Sequence, residues 1–160
     1  MSQNLFTRLS LAVVFSTLIL TGSSCKKNSG DSNSDIPAGH KQLKFTMTTS
    51  ATTGYYSGAF VGLHGHFTTN EYDVWKVNGV VIRNQPQQSF DWTHFRGGKT
   101  IIVESAKPVW GANLGFTCYR LSTEPPFTFS LKVEQNGKVV FNESKLITEA
   151  GESWKMEFTY

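Results

Sequence analysis

From Phe127 onward apolar and polar residues alternate one by one. Phe127, Phe129, Leu131 and Val133 fall on one side, and Thr128, Ser130, Lys132 and Glu134 on the other. Side chains two apart share a face only in an extended strand, so this period excludes a helix and requires a buried surface beneath one face. Gln135-Asn136-Gly137 then turns the chain into Lys138-Val139-Val140-Phe141. Asn-Gly supplies the left-handed backbone of a two-residue turn, so the two runs form a hairpin. The same alternation marks Leu43, Phe45 and Met47 near the start, and Trp154, Met156, Phe158 and Tyr160 at the end. Residues 55–67, 72–83, 89–95, 100–105 and 114–121 read as strands between them, punctuated by Asn78-Gly79, Gly97-Gly98 and Pro125-Pro126.

No segment after residue 40 has the 3.6-residue period of an amphipathic helix. Seven to nine short antiparallel strands therefore predict an all-β domain over residues 41–160, an immunoglobulin-like β-sandwich. Composition agrees. Charged residues are only 17% of the chain, against about 25% in an average soluble domain. With 12 Phe, 5 Tyr, 4 Trp and 14 Gly, it has the stock of half-buried strands joined by tight turns. The formal net charge of +3 includes Arg8, which lies in the leader, so the mature domain is too weakly basic to argue for nucleic acid.

The N-terminus has a different grammar. A polar start carrying Arg8 is followed by an apolar run over residues 9–20. About a dozen residues fall short of the roughly 20 that a membrane span needs, and match a signal peptide instead. Thr21-Gly22-Ser23-Ser24 then leads into Cys25. This segment resembles the bacterial lipobox in its relaxed Bacteroidetes-type form, with Gly22 where Leu, Val or Ile is usual. The resemblance implies that residues 1–24 are removed and that Cys25 is acylated to become the mature N-terminus. An ordinary signal peptide cut near Ser24 would leave Cys25 incidental. Residues 25–40, rich in Ser, Asn and Gly, read as a flexible tether holding the domain roughly 20 Å from a bilayer. No acidic run follows Cys25, which favours the periplasmic face of the outer membrane over the cell surface. Once Cys25 carries lipid, Cys118 has no intrachain partner. Set in Gly115-Phe116-Thr117-Cys118-Tyr119 without a basic neighbour, it reads as a buried structural thiol.

The order of strands and turns is similar to that of small immunoglobulin-like lipoproteins of Bacteroidetes. It is distantly similar to the soluble domain of the mycobacterial MmpS proteins, which accompany lipid-exporting transporters. The segments that carry this are Lys44-Phe45-Thr46-Met47-Thr48-Thr49-Ser50, Val77-Asn78-Gly79-Val80-Val81, and Phe129-Ser130-Leu131-Lys132-Val133 with Asn136-Gly137-Lys138-Val139-Val140. The surroundings of Trp92 and Trp110 depart from that pattern. The resemblance defines no functional residue, so none is carried over.

Three residue groups invite chemistry. His64 and His66 lie two apart and share a strand face, so both imidazoles face one candidate metal position. A third ligand must then come from His40, His94, Asp73 or Glu71. Against this stands a Gly-flanked strand end bearing two solvated histidines. Asp91 and His94 lack a nucleophile elbow such as Gly-x-Ser-x-Gly, and no phosphate loop, carboxylate pair or CxxC is present, so no enzymatic activity or cofactor is expected. Trp110 reads as a loop residue, while Trp92 shares a strand face with Phe90 and His94. The two tryptophans either stack together on a sugar ring, or Trp110 folds back to cap an open end of the sandwich. The leading expectation is a non-enzymatic, lipid-anchored binding or assembly module of the bacterial envelope, its partner another envelope protein or a glycan. A carbohydrate-binding module using Trp92 and Trp110 comes second, and a metal protein using His64 and His66 third.

Overall fold

The computed structural model describes residues 36–51, 58–66, 72–121 and 123–160. The described chain forms β1 (Leu43–Thr49), β2 (Gly58–His66), β3 (Trp75–Val77), β4 (Val80–Ile82) and β5 (Gln87–Phe90). A single helical turn α1 (Trp92–Phe95) follows. Then come β6 (Thr100–Ser105), β7 (Gly111–Tyr119), β8 (Phe127–Gln135), β9 (Lys138–Ile147) and β10 (Ser153–Thr159). All pairings are antiparallel. The strands make two sheets, ordered β4-β3-β6-β1-β8-β9 and β10-β7-β2-β5. The all-β, two-sheet expectation holds, with ten strands among the described residues. Segment 72–83 folds back at the Asn78-Gly79 turn into the hairpin β3–β4.

Both Asn-Gly turns take the left-handed backbone expected of them: φ is 49° and 85° at Asn78 and Gly79, and 53° and 75° at Asn136 and Gly137. Each asparagine also binds the strand beside its hairpin. The Asn78 side chain accepts from the Ile102 amide at 2.9 Å, and its own amide donates to the Ile102 carbonyl at 2.8 Å. Asn136 does the same with Gln42, at 2.7 and 2.8 Å. The turns therefore pin hairpins at the two ends of the six-stranded sheet to its central strands β6 and β1.

The inward residues of both sheets meet in one core. Leu43, Phe45, Met47, Val103, Phe129, Leu131 and Val133 come from the larger sheet, and Val61, Leu63, Leu114, Phe116 and Cys118 from the smaller. Burial pushes the Cys118 thiol far above its ordinary pKa, so it stays protonated and inert. Trp75 is fully buried, and its indole N–H is satisfied by the Pro86 carbonyl at 2.7 Å. Trp154 is half-buried and meets Phe116 edge-on, with ring centroids 4.8 Å apart. Strand β9 is an edge, and its register sets Glu143 and Lys145 on the core-facing side of the ladder. Charges pointing inward at an edge discourage another strand from pairing there.

One strand assignment from the sequence is corrected. Residues 89–95 do not run as one strand: β5 stops at Phe90 and α1 begins at Trp92. Asp91 caps the turn, accepting from the Thr93 amide at 3.0 Å, while His94 Nδ1 lies 3.2 Å from the Asp91 amide in the reciprocal contact. This capping box uses His in the position where Glu or Gln is usual, so the sequence signal for it was weak. As a result Phe90, Trp92 and His94 do not form one strand face, although the Phe90 and His94 rings meet edge-to-face at 5.7 Å, and Phe95 is the member of the turn that enters the core.

Candidate binding groove on the four-stranded sheet

Along β2 and β7 every second residue faces the core, which leaves Phe60, Gly62, His64 and His66 of β2 and Asn113, Gly115, Thr117 and Tyr119 of β7 on the outer face. The register places Gly62 directly beside Gly115, with Ser89 of β5 next to Gly62 and Glu157 of β10 next to Gly115. The middle of this cross-strand row therefore has no side chains. One flanking row reads Gln87, His64, Asn113, Thr159, and the other Phe60, Thr117, Lys155. Between them lies an open groove of about 470 Å³ over Gly62, His64, Gln87, Asn113, Gly115 and Glu157. A second hollow of about 300 Å³ shares this floor and continues toward Phe60, Ser89 and Lys155.

The glycines that form the floor are not demanded by the fold. A Cβ on Gly62 would meet no atom within 4 Å, and one on Gly115 would meet only the Glu157 side chain at an ordinary 3.7 Å. The same two strands also contain glycines that packing does require. A Cβ on Gly65 would come within 2.9 Å of Trp75 and Val74, and one on Gly111 would collide with the Tyr160 carbonyl. Glycine weakens a strand interior, and close approach by another molecule is one of the recognised reasons for keeping it where packing does not require it.

The walls are polar, with one aromatic corner. Phe60 is 43% exposed, and its ring lies parallel to that of Tyr119 (9°, centroids 6.4 Å apart). Lys155 and Glu157 neutralise each other across 3.1 Å. Among the described residues, Gln87, Asn113 and Thr159 make no side-chain hydrogen bond, so their donors and acceptors face outward.

Of the residues singled out from the sequence, only His64 lines this groove. The His64 and His66 rings meet edge-to-face at 5.6 Å, and among the described residues no third His, Cys, Asp or Glu joins them in a group able to hold a metal. Trp110 is 50% exposed; its amide donates to the His66 carbonyl at 3.0 Å, and its ring lies against that of His40 at 4.1 Å. It is thus not sealed into the sandwich as a cap. His40 itself closes a turn onto the Pro37 carbonyl at 3.0 Å, so the last residues before β1 rest on the folded body. Trp92 packs by its Cβ over Gly58, at the other end of β2 from His66. Eight residue steps of about 3.3 Å separate those ends, roughly 26 Å, so the two tryptophans do not meet to make one platform.

Asp91 and His94 stand 2.7 Å apart, but their task is local. The hydrogen bond from the Thr93 hydroxyl, aided by His94, lowers the Asp91 pKa to about 2 despite some desolvation. Cys25 lies outside the described residues, and among those described no helix is long and apolar enough to cross a membrane.

The groove residues Gly62 and Gly115 were missed from sequence, although a signal existed. Both stand at outward positions of alternating runs, Val61-Gly62-Leu63 and Leu114-Gly115-Phe116, where a polar or β-branched residue is the rule.

No protein-family model and no curated protein matches the chain. Solved structures do resemble it in fold. The calcium-bound form of a protein from Parabacteroides distasonis, determined by NMR, superposes with a TM-score of 0.55 at 12% identity, covering 78% of this chain and 97% of that one. The crystal structure of a DUF4425 family protein from Bacteroides ovatus gives a TM-score of 0.55 at 12% identity, covering 76% and 94%. At that identity the likeness establishes a shared all-β fold.

Proposed function

We propose that this chain is a non-enzymatic binding module of the bacterial cell envelope, held by lipid on Cys25 at the periplasmic face of the outer membrane, and that the glycine-floored groove is its binding face. One observation carries the reading. Gly62 and Gly115 sit side by side at exposed strand positions where a side chain has room and would stabilise the strands. The groove they leave lies on hydrogen-bonded strands rather than loops, so its walls are already ordered before a partner arrives. The order signal-like leader, Cys25, polar segment supports the anchor. In this reading the sandwich is broadly immunoglobulin-like, supported by its two antiparallel layers around a single aromatic core.

Site-specific photocrosslinking in intact cells tests the face. A photoreactive residue replacing His64 or Gln87 is expected to give reproducible adducts that Gly115→Val suppresses, whereas one replacing Thr46 on the opposite sheet gives none. Equal labelling from both faces, or none from the groove, would overturn the reading. Replacement of Cys25 by Ser is expected to move the protein from the membrane pellet to the soluble fraction, and retention in the pellet would remove the anchor from the proposal.

A further inference from the structure

Resting on the reading of the groove as a binding face, we infer that its ligand is a neutral glycan chain, bound side-on across the strands with its sugar rings over Gly62 and Gly115. The shape comes first. The side-chain rows flanking the glycines are four residues apart along each strand, about 13 Å from ridge to ridge at roughly 3.3 Å per residue. The row runs between the two edge strands of the sheet, from Ser89 on β5 to Glu157 on β10. A chain can pass through such a channel, whereas a closed pocket would hold only a terminal unit.

The chemistry of the walls narrows the class. A sugar hydroxyl both donates and accepts, so it pairs best with groups that do the same. The carboxamides of Gln87 and Asn113, on one wall, each offer both roles, and the His64 imidazole between them adds a further ring nitrogen for either role. The bare backbone floor and the exposed Phe60 ring beside Tyr119 provide the apolar surface that the C–H face of a pyranose covers. Charge excludes the main competitors. Lys155 and Glu157 pair with each other, and among the described residues no other Lys, Arg, Asp or Glu lines the groove to attract a phosphate or uronate or to gather a metal. A protein partner is disfavoured by the groove's centre, where a fully desolvated aromatic or arginine anchor would be the norm and two glycines stand instead.

The test uses the full-length protein, solubilised with its anchor and presented to immobilised neutral polysaccharides (a β-glucan, a mannan, a xylan and a dextran) and to two polyanions, polygalacturonate and heparin. Retention by at least one neutral polysaccharide and by neither polyanion is expected. Gly115→Val should weaken that retention at least tenfold while its Tm stays equal or rises, since the new Cβ meets only the Glu157 side chain at an ordinary 3.7 Å. Gln87→Ala and His64→Ala should each weaken it severalfold, and Ser130→Ala on the other sheet should leave it unchanged. Loss of binding together with preserved or increased stability is an outcome that a merely structural role for Gly115 does not produce. Retention unaffected by Gly115→Val, or preferential binding of the polyanions, would overturn the inference. Failure of every neutral polysaccharide, with the groove crosslinks persisting and falling to protein, would overturn the glycan and leave the binding face standing. Loss of the crosslinks as well would remove both.

Discussion

The two sheets present opposite kinds of outer surface. On β1, β6, β8 and β9 of the six-stranded sheet several outward polar residues are paired with their neighbours: Thr48 with Thr100 at 2.9 Å, Ser130 with Ser144 at 2.8 Å, Lys132 with Glu134 at 3.1 Å, and Lys44 with Glu104 at 3.7 Å. On the four-stranded sheet the central row is bare, and Gln87 and Asn113 beside it make no such pairs among the described residues. Cross-strand pairs each contribute a few tenths of a kcal/mol to roughly 1 kcal/mol, so the second surface gives up stability that the first one keeps. A sheet face that only has to be soluble has no reason to do so. The contrast is what favours the smaller sheet as the proposed binding face.

The largest effect should erase the comparison altogether, because both faces rest on one core. Trp75→Ala removes the largest fully buried side chain and one of the two donors to the Pro86 carbonyl, and is expected to cost about 3–5 kcal/mol in chemical unfolding. A cost under about 1 kcal/mol would mean that the two layers are stabilised separately.

The glycines of β2 and β7 sharpen the comparison most directly. Gly65→Val forces a side chain into Trp75 and Val74 and should destabilise by about 2–3 kcal/mol. Gly115→Val, three strand rows away on the opposite face, should stabilise by about 0.5–1 kcal/mol. Opposite signs in urea titrations are the prediction. The same sign at both sites would return Gly115 to an ordinary packing role.

On the six-stranded side, Asn136→Gly retains the left-handed turn and removes the side-chain clamp on the Gln42 amide. It should cost about 1 kcal/mol, read as a lower urea midpoint at unchanged slope.

The smallest effect is a pH dependence at the cap of α1. The Asp91 pKa is depressed from 3.8 to about 2 by its bond to Thr93 and then by His94. A depressed carboxyl binds fewer protons folded than unfolded, so its contribution is fully present above about pH 4 and is lost as pH falls toward 2. The Asp91 side chain is 39% exposed, and solvent screening holds the contribution to about 1 kcal/mol or less. Asp91→Asn should make the fall in stability over that window shallower, with Glu152, also depressed to about 2, still contributing, and an unchanged slope would contradict the cap's role.

Local signals in the sequence were strong where they were short-range. The alternation in Phe127–Gln135 and the Asn136-Gly137 turn determined a hairpin and its inward face, because neighbouring residues alone set the pleat and the turn. The same holds for Cys118, whose place among apolar residues already implied burial. Asp91-Trp92-Thr93-His94 was misread because a one-turn helix has no periodicity to detect, and its cap becomes visible only as hydrogen bonds.

What only the tertiary structure decided was every relation between distant segments. Gly62 and Gly115 are more than fifty positions apart, and each alone is an unremarked strand glycine. They become a groove because the β2–β7 register seats them side by side. By the same logic Trp92 and Trp110, which look like partners in the sequence, are held at opposite ends of β2. Strand identity follows from nearest-neighbour sterics and hydrophobic pattern, which are written along the chain. Register across a sheet is set by the packing of the whole core, so the face that reads as functional appears only once that core has formed.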